Sequence, residues 1–113
     1  MAANNFDSNM TGTIKIRIKQ QDDFTLLRTL ISHPMETGLR KDKETGKIIP
    51  SHFIQELLIS LNDETVASGM LGSAISKDPY FSIRFKKANP GDTITIRWVD
   101  NRGESDTASV LVE

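Results

Sequence analysis

His33 and His52, with Met35 and Glu36 close behind the first, are the residues of this chain whose types best suit ligand chemistry. The two imidazoles stand nineteen positions apart and bracket a stretch, 33–52, with no alternating pattern. If its ends met, two nitrogen donors and a thioether would converge, the beginnings of a metal- or small-ligand-binding site built from His33, Met35 and His52. A mononuclear site wants three or four placed ligands, however, and this spacing matches no ligand pattern. Hydrogen-bonded structural histidines are the simpler expectation. Gly38 through Gly46-Lys47 superficially suggests a phosphate loop, but seven residues separate the glycines where four are needed, and Ile48 follows the lysine. Both glycines fit turns that need positive φ. Asp22, Asp23, Asp100 and Asp106 fall at expected turns between strands, where solvated carboxylates are the default, rather than across a cleft. The serines have no G-x-S-x-G elbow and no identifiable oriented base.

The chain has no cysteine. That excludes thiolate catalysis, iron–sulfur clusters, blue copper, disulfides and the usual thiolate-based zinc sites. It leaves the compartment open, since a cysteine-free chain also suits a place where a stray thiol could attack a partner's reactive sulfur. No enzymatic activity and no cofactor are expected.

These residues are carried by a chain of 113 residues, 37% hydrophobic and 26% charged, the size and composition of one globular domain. Fourteen basic residues against fifteen acidic ones give a net charge of −1, so the chain as a whole lacks the excess positive charge that nucleic-acid binding uses. No run reaches the ~18 apolar residues of a membrane-spanning helix, and the start has neither a basic n-region nor an apolar h-region. Neither nucleic acid nor membrane is an expected partner, and no export signal of the chain's own is expected.

Residues 1–12 read as a flexible polar leader and 13–113 as the domain. From Thr13 the apolar positions recur with period two, which predicts strands. Ile14, Ile16 and Ile18 alternate with Lys15, Arg17 and Lys19 in Thr13–Gln20. Thr25–Ser32 and Phe53–Asn62 are apolar on both faces: Leu26 and Leu30 oppose Leu27 and Ile31, and Ile54 and Leu58 oppose Leu57, Ile59 and Leu61. A strand apolar on both sides needs cover on both. Asn62-Asp63 turns the chain into Thr65–Leu71, and Tyr80–Lys86, Thr93–Asp100 and Asp106–Val112 follow. Asn89-Pro90-Gly91-Asp92 and Asn101-Arg102-Gly103-Glu104 supply turn chemistry. About seven short strands without a long amphipathic helix predict an all-β, immunoglobulin-like or fibronectin III-like sandwich, with one long loop at 33–52. Loops of that length are usually functional or disordered, so this one is expected to carry specificity.

His33-Pro34-Met35-Glu36-Thr37-Gly38, continuing through Arg40, Asp42, Thr45-Gly46 and Ile49-Pro50 to His52-Phe53-Ile54, closely resembles the signature of the Z-subunit family (SoxZ) of the sulfur-oxidation (Sox) thiosulfate carrier. The likeness extends over nearly the whole chain from Thr13, including Asn89-Pro90-Gly91-Asp92 and the Trp98 strand; Ser51 stands where the family pattern has alanine. The resemblance implies an immunoglobulin-like, non-catalytic subunit of a periplasmic heterodimer. Its Y-type partner carries sulfur intermediates on a cysteine of a mobile C-terminal arm, which other sulfur-oxidation enzymes visit transiently. It also implies export together with the partner, whose signal would serve both chains. Within this frame the second apolar face, Leu26, Leu30, Ile54, Leu58, Val66 and Met70, is the expected partner-binding surface. His33, Met35, Arg40 and Lys41 of the long loop are expected to add docking contacts. Such a face would leave the isolated chain open to self-association.

Overall fold

A computed structural model of the chain describes residues 12–72 and 75–113; the expected leader lies, but for Gly12, outside them. Seven strands are present: β1 (Ile14–Gln20), β2 (Phe24–Ile31), β3 (Ile54–Leu61), β4 (Glu64–Met70), β5 (Tyr80–Lys86), β6 (Thr93–Asp100) and β7 (Ser105–Leu111). Each coincides with an expected strand to within a residue or two, because period-two alternation and turn residues both act locally. No helix among the described residues is long and apolar enough to cross a membrane.

The strands form two antiparallel sheets, one ordered β1-β2-β5 and the other β4-β3-β6-β7. β4 remains paired with β3 instead of crossing to β5, a three-plus-four division of the sandwich. Every strand with one dry face turns it inward. Ile14 and Ile16 of β1 and Leu27 and Ile31 of β2 meet Ile54, Leu57, Ile59 and Leu61 of β3 and Ile94, Ile96 and Trp98 of β6 in one core. Two threonines share the inner face of β2 and are satisfied there: Thr29 donates to the carbonyl of Lys15 at 2.9 Å, and Thr25 accepts the N–H of Ala88 at 2.8 Å. The sheets are latched where β1 begins. The Trp98 indole N–H donates to Thr13 Oγ1 at 2.9 Å, and the Thr13 hydroxyl and N–H both donate to Asp106 Oδ2 at 2.7 and 2.9 Å. Asp106 is therefore no idle turn carboxylate. Burial alone would raise its pKa, but the Thr13 and Thr107 donors outweigh burial and hold it below the usual value.

Two bulges correct the expected faces. β3 pairs Ile54 with Asp100 but Glu56 with Val99, so Gln55 is an extra residue and the alternation shifts phase there. Ile54 consequently points into the core with Leu57, fully buried, rather than outward with Leu58. In β4, Ala67 faces Ile59 while Thr65 faces Ser60, which leaves Val66 extra and packed against the core. The expected single apolar face is divided for a second reason: β2 and β3 belong to different sheets. Leu26 and Leu30 lie on the outer side of the three-stranded sheet, and Leu58 and Met70 on the outer side of the four-stranded one.

The shift in phase has a measurable consequence. Ile54→Ala should lower the unfolding free energy by about 3 kcal/mol, the usual cost of truncating a buried isoleucine. Leu58→Ala should cost less than about 1 kcal/mol in the same urea titration; equal losses would place the two side chains in equivalent surroundings.

Candidate functional site

The long loop is ordered as a narrow antiparallel arm rather than an open excursion. At its base Glu36 and His52 exchange backbone hydrogen bonds of 2.6 and 3.0 Å. Further out the N–H of Ile49 reaches the carbonyl of Arg40, and the N–H of Asp42 that of Lys47, both at 2.8 Å. The tip is an Asx turn: Asp42 Oδ1 accepts from the N–H groups of Glu44 and Thr45, and Gly46 takes the positive φ (73°) that lets the chain return. Gly38 is constrained in a second way. Its φ of 88° is one that side chains rarely adopt, and a Cβ there would come within a tight 3.2 Å of Ser51 Cβ on the returning side of the arm.

Both ends of the arm are fastened to the turn between β6 and β7. His33 is buried; its Nδ1 accepts the N–H of Met35 at 3.1 Å and its Nε2 lies 3.0 Å from Asp100 Oδ2. A neutral imidazole has one proton and one lone pair. With Nδ1 accepting, the proton sits on Nε2 and is donated to Asp100. His52 brings its Nε2 within 2.7 Å of the same carboxylate oxygen and 2.9 Å of Glu104 Oε1. The rings of His33 and His52 meet edge to face at 4.5 Å, and the indole of Trp98 stands 5.1 Å from His33. Asn101 fixes the strand end beside them, accepting the N–H of Phe53 and donating to the carbonyl of Ser51. Asp78 does the same for the other end, accepting the N–H of His33 at 3.0 Å.

Asp100 is the centre of this knot and is 2% exposed. Burial would push its carboxyl up, but donation from His33, the N–H of Glu104, His52 and the N–H of Arg102 outweighs that and holds the group down at about 2. The expectation of a solvated turn carboxylate is thus corrected for Asp100. The signal was in the sequence, since Asp100 continues the inward set Ile94, Ile96, Trp98 in step.

The structure does bring His33, Met35 and His52 together. Their arrangement is that of a hydrogen-bonded support. Ligand atoms of His33, His52 and Asp100 lie within 4.8 Å of one another, close enough in principle for an ion. Ligation requires a free lone pair, however, and the one on His33 is taken by Met35 while the Met35 sulfur accepts the N–H of Ile54 at 3.3 Å. Met35 is buried and has a left-handed φ of 48°, so neither it nor His33 offers an exposed side chain for docking. Arg40 and Lys41 do stand exposed on the arm, Arg40 paired with Glu36 at 2.6 Å. Leu39, 86% exposed, and Ile48, 58% exposed, accompany them there, and sequence reasoning passed over both because isolated apolar residues in a loop carry no periodic signal.

The two outer sheet faces differ in chemistry. On the four-stranded sheet Leu58 and Val99 are half-buried and Met70 and Leu111 exposed, set among Ser60, Thr95, Thr107 and Ser109. Glu56 and Arg97 are the charged strand residues on that side. On the three-stranded sheet Leu26 and Leu30 lie among lysines and arginines.

Comparison with known proteins gives one family and one fold. A family model described as "Sulphur oxidation protein SoxZ" matches residues 14–111. No curated protein sequence matches the chain. Among solved structures, a hypothetical protein, PH1083, from Pyrococcus horikoshii OT3 superposes with a TM-score of 0.64 at 14% identity, over 90% of this chain and 88% of that one. At that identity the likeness is one of fold.

The knot predicts acid sensitivity with a definite sign. A carboxylate held near 2 against an ordinary 3.8 adds stability that is complete above the unfolded value and is lost as pH falls from there toward 2. Asp100→Asn sets an amide NH2 or a single acceptor against several donors and should cost about 3 kcal/mol at neutral pH. It should also flatten the acid limb between those two values in chemical-denaturation curves; an unchanged limb would assign acid unfolding to other groups.

Proposed function

The chain belongs to the SoxZ family of sulphur oxidation proteins, and from this we propose that it is the non-catalytic scaffold subunit of a thiosulfate carrier, bound to a Y-type subunit that bears the reactive cysteine. The observation that carries the reading is the family match across residues 14–111, joined to the absence of any cysteine in the chain. A role in the Sox sulfur-oxidation system follows from the family; a chain without a thiol cannot hold a sulfur intermediate covalently through cysteine, so the attachment falls to the partner. The periplasm is the compartment this assigns, with export alongside the partner.

The outer face of the four-stranded sheet suits the partner best. It combines Leu58, Val99, Met70 and Leu111 with hydroxyl side chains and a single arginine, Arg97, beside Leu58, and the centres of stable interfaces are likewise low in charge and enriched in methionine, arginine and large apolar groups. A stable heterodimer covers about 800 Å² on each side, which calls for most of such a sheet. The arm supplies a second contact. Its rigid base fixes where Leu39, Ile48, Arg40 and Lys41 are held out, and a preorganised projection loses little entropy on docking.

Leu58→Asp should weaken binding to the Y-type subunit by at least about tenfold in calorimetric titration while leaving the unfolding midpoint of the isolated chain nearly unchanged. Unaltered affinity would remove this face from the interface. Reversing the charges of Arg40 and Lys41 should slow association with the same partner several-fold at low ionic strength, and the difference should shrink as salt is added. Equal rates at low salt would show that the arm takes no part in that encounter.

A further inference from the structure

Charge is segregated between the two sheets to a degree that the net charge conceals. The strands of the three-stranded sheet carry Lys15, Arg17, Lys19, Arg28, Arg84 and Lys86 and not one Asp or Glu. Those of the four-stranded sheet carry Glu56, Glu64, Asp100 and Asp106 against Arg97. All six cations of the first sheet share its outer side, because each occupies a strand position out of step with the buried Ile14, Ile16, Leu27 and Ile31. The register sets Lys19, Leu26 and Arg84 in one row across the three strands and Arg17, Arg28 and Ser82 in the next.

We infer that this basic face is a docking surface for an acidic protein surface, that of an enzyme which visits the assembled carrier. The inference rests on the scaffold reading above. Three features point to a protein rather than to another polyanion. Leu26 and Leu30 run through the middle of the cations, with the ring of Phe24 under Arg84 at 4.9 Å and Tyr80 53% exposed at the margin. Arginine, tyrosine and large apolar groups together are the composition of protein-binding hot spots, whereas a backbone-tracking nucleic-acid site has little use for a central leucine pair. Acidic groups border the face, Glu64 pairing with Lys86 at 3.3 Å and Asp22 and Asp23 lying in the β1–β2 turn, so the positive field is bounded as an interface requires. Finally, this face and the hydroxyl-rich one, whose charged strand residues are only Glu56 and Arg97, lie on opposite sides of the sandwich, so a permanent partner on one leaves the other open. A transient visitor gains most from charge, which acts chiefly on the rate of encounter.

The test uses the assembled heterodimer, tethered through the Y-type subunit, with each purified enzyme of the same sulfur-oxidation system as the analyte. For at least one enzyme, Arg28→Glu with Arg84→Glu should cut the association rate by ~10-fold or more at low salt, with the effect fading above ~0.3 M. Affinity for the Y-type subunit should be unchanged, which separates failure of this inference from failure of the scaffold reading. Lys77→Glu with Arg102→Glu, the same charge change off this face, should have little effect. If R28E/R84E does not fold, Lys19→Gln with Arg84→Gln serves in its place. Rates unchanged for every enzyme would overturn the inference. So would salt-dependent binding of the wild-type heterodimer to a short DNA duplex or to phosphatidylglycerol vesicles that the variant loses while every enzyme binds as before.

Discussion

One buried carboxylate ties both ends of the long arm to the sandwich. Asp100 sits at the end of β6, out of water, and gathers His33, His52 and two backbone N–H groups of its own turn. Without an anion there, the two imidazoles would lose their shared acceptor and each end of the arm one of its fastenings. A buried charge is costly unless its hydrogen bonds are complete. No buried side-chain nitrogen or oxygen among the described residues lacks a partner, so here the condition is met. The arrangement explains why histidines so far apart in sequence bracket the arm: they are its two attachment points, and a single acceptor can serve both.

How much of this was legible in the sequence depended on whether the signal was local. Strand positions such as Ile14, Ile16, Ile94 and Ile96 announce themselves by alternation, and the turns by Asn-Pro-Gly-Asp and similar groups. Ile54 was misplaced because a bulge is one extra residue, and nothing in Phe53-Ile54-Gln55-Glu56 marks which residue is extra. Asp100 is in step with Trp98, but it is also the last residue before the Asn101-Arg102-Gly103-Glu104 turn, where aspartate is ordinarily solvated, so the local pattern supports both placements. The pairing of β2 and β3 with different sheets is a long-range fact of topology, and it alone decides that Leu26 and Leu58 look in opposite directions.

The basic face was hidden by averaging. A net charge near zero argues against a polyanion-binding protein only when the charges are mixed, and in a sandwich the period-two pattern sorts them instead. Lys15, Arg17 and Lys19 are read first as the wet side of a strand; their significance emerges once Arg28 and Arg84 are found on the neighbouring strands. Each outer face therefore has its own character, one neutral and hydroxyl-rich, the other cationic with an apolar centre. The core between them is largely aliphatic packing.

The same distribution governs what the strands at the sheet edges can do. β1 and β5 bound the three-stranded sheet and carry five of its six cations, and lysine and arginine on an edge strand discourage stacking with a like edge. β4 and β7 bound the other sheet with sequences such as Ala67-Ser68-Gly69-Met70 and Thr107-Ala108-Ser109-Val110, which carry no charge. A second copy of the chain that adds a like edge to extend a sheet thus meets more electrostatic resistance at β1 or β5 than at β4 or β7, giving the sandwich a built-in polarity for growth.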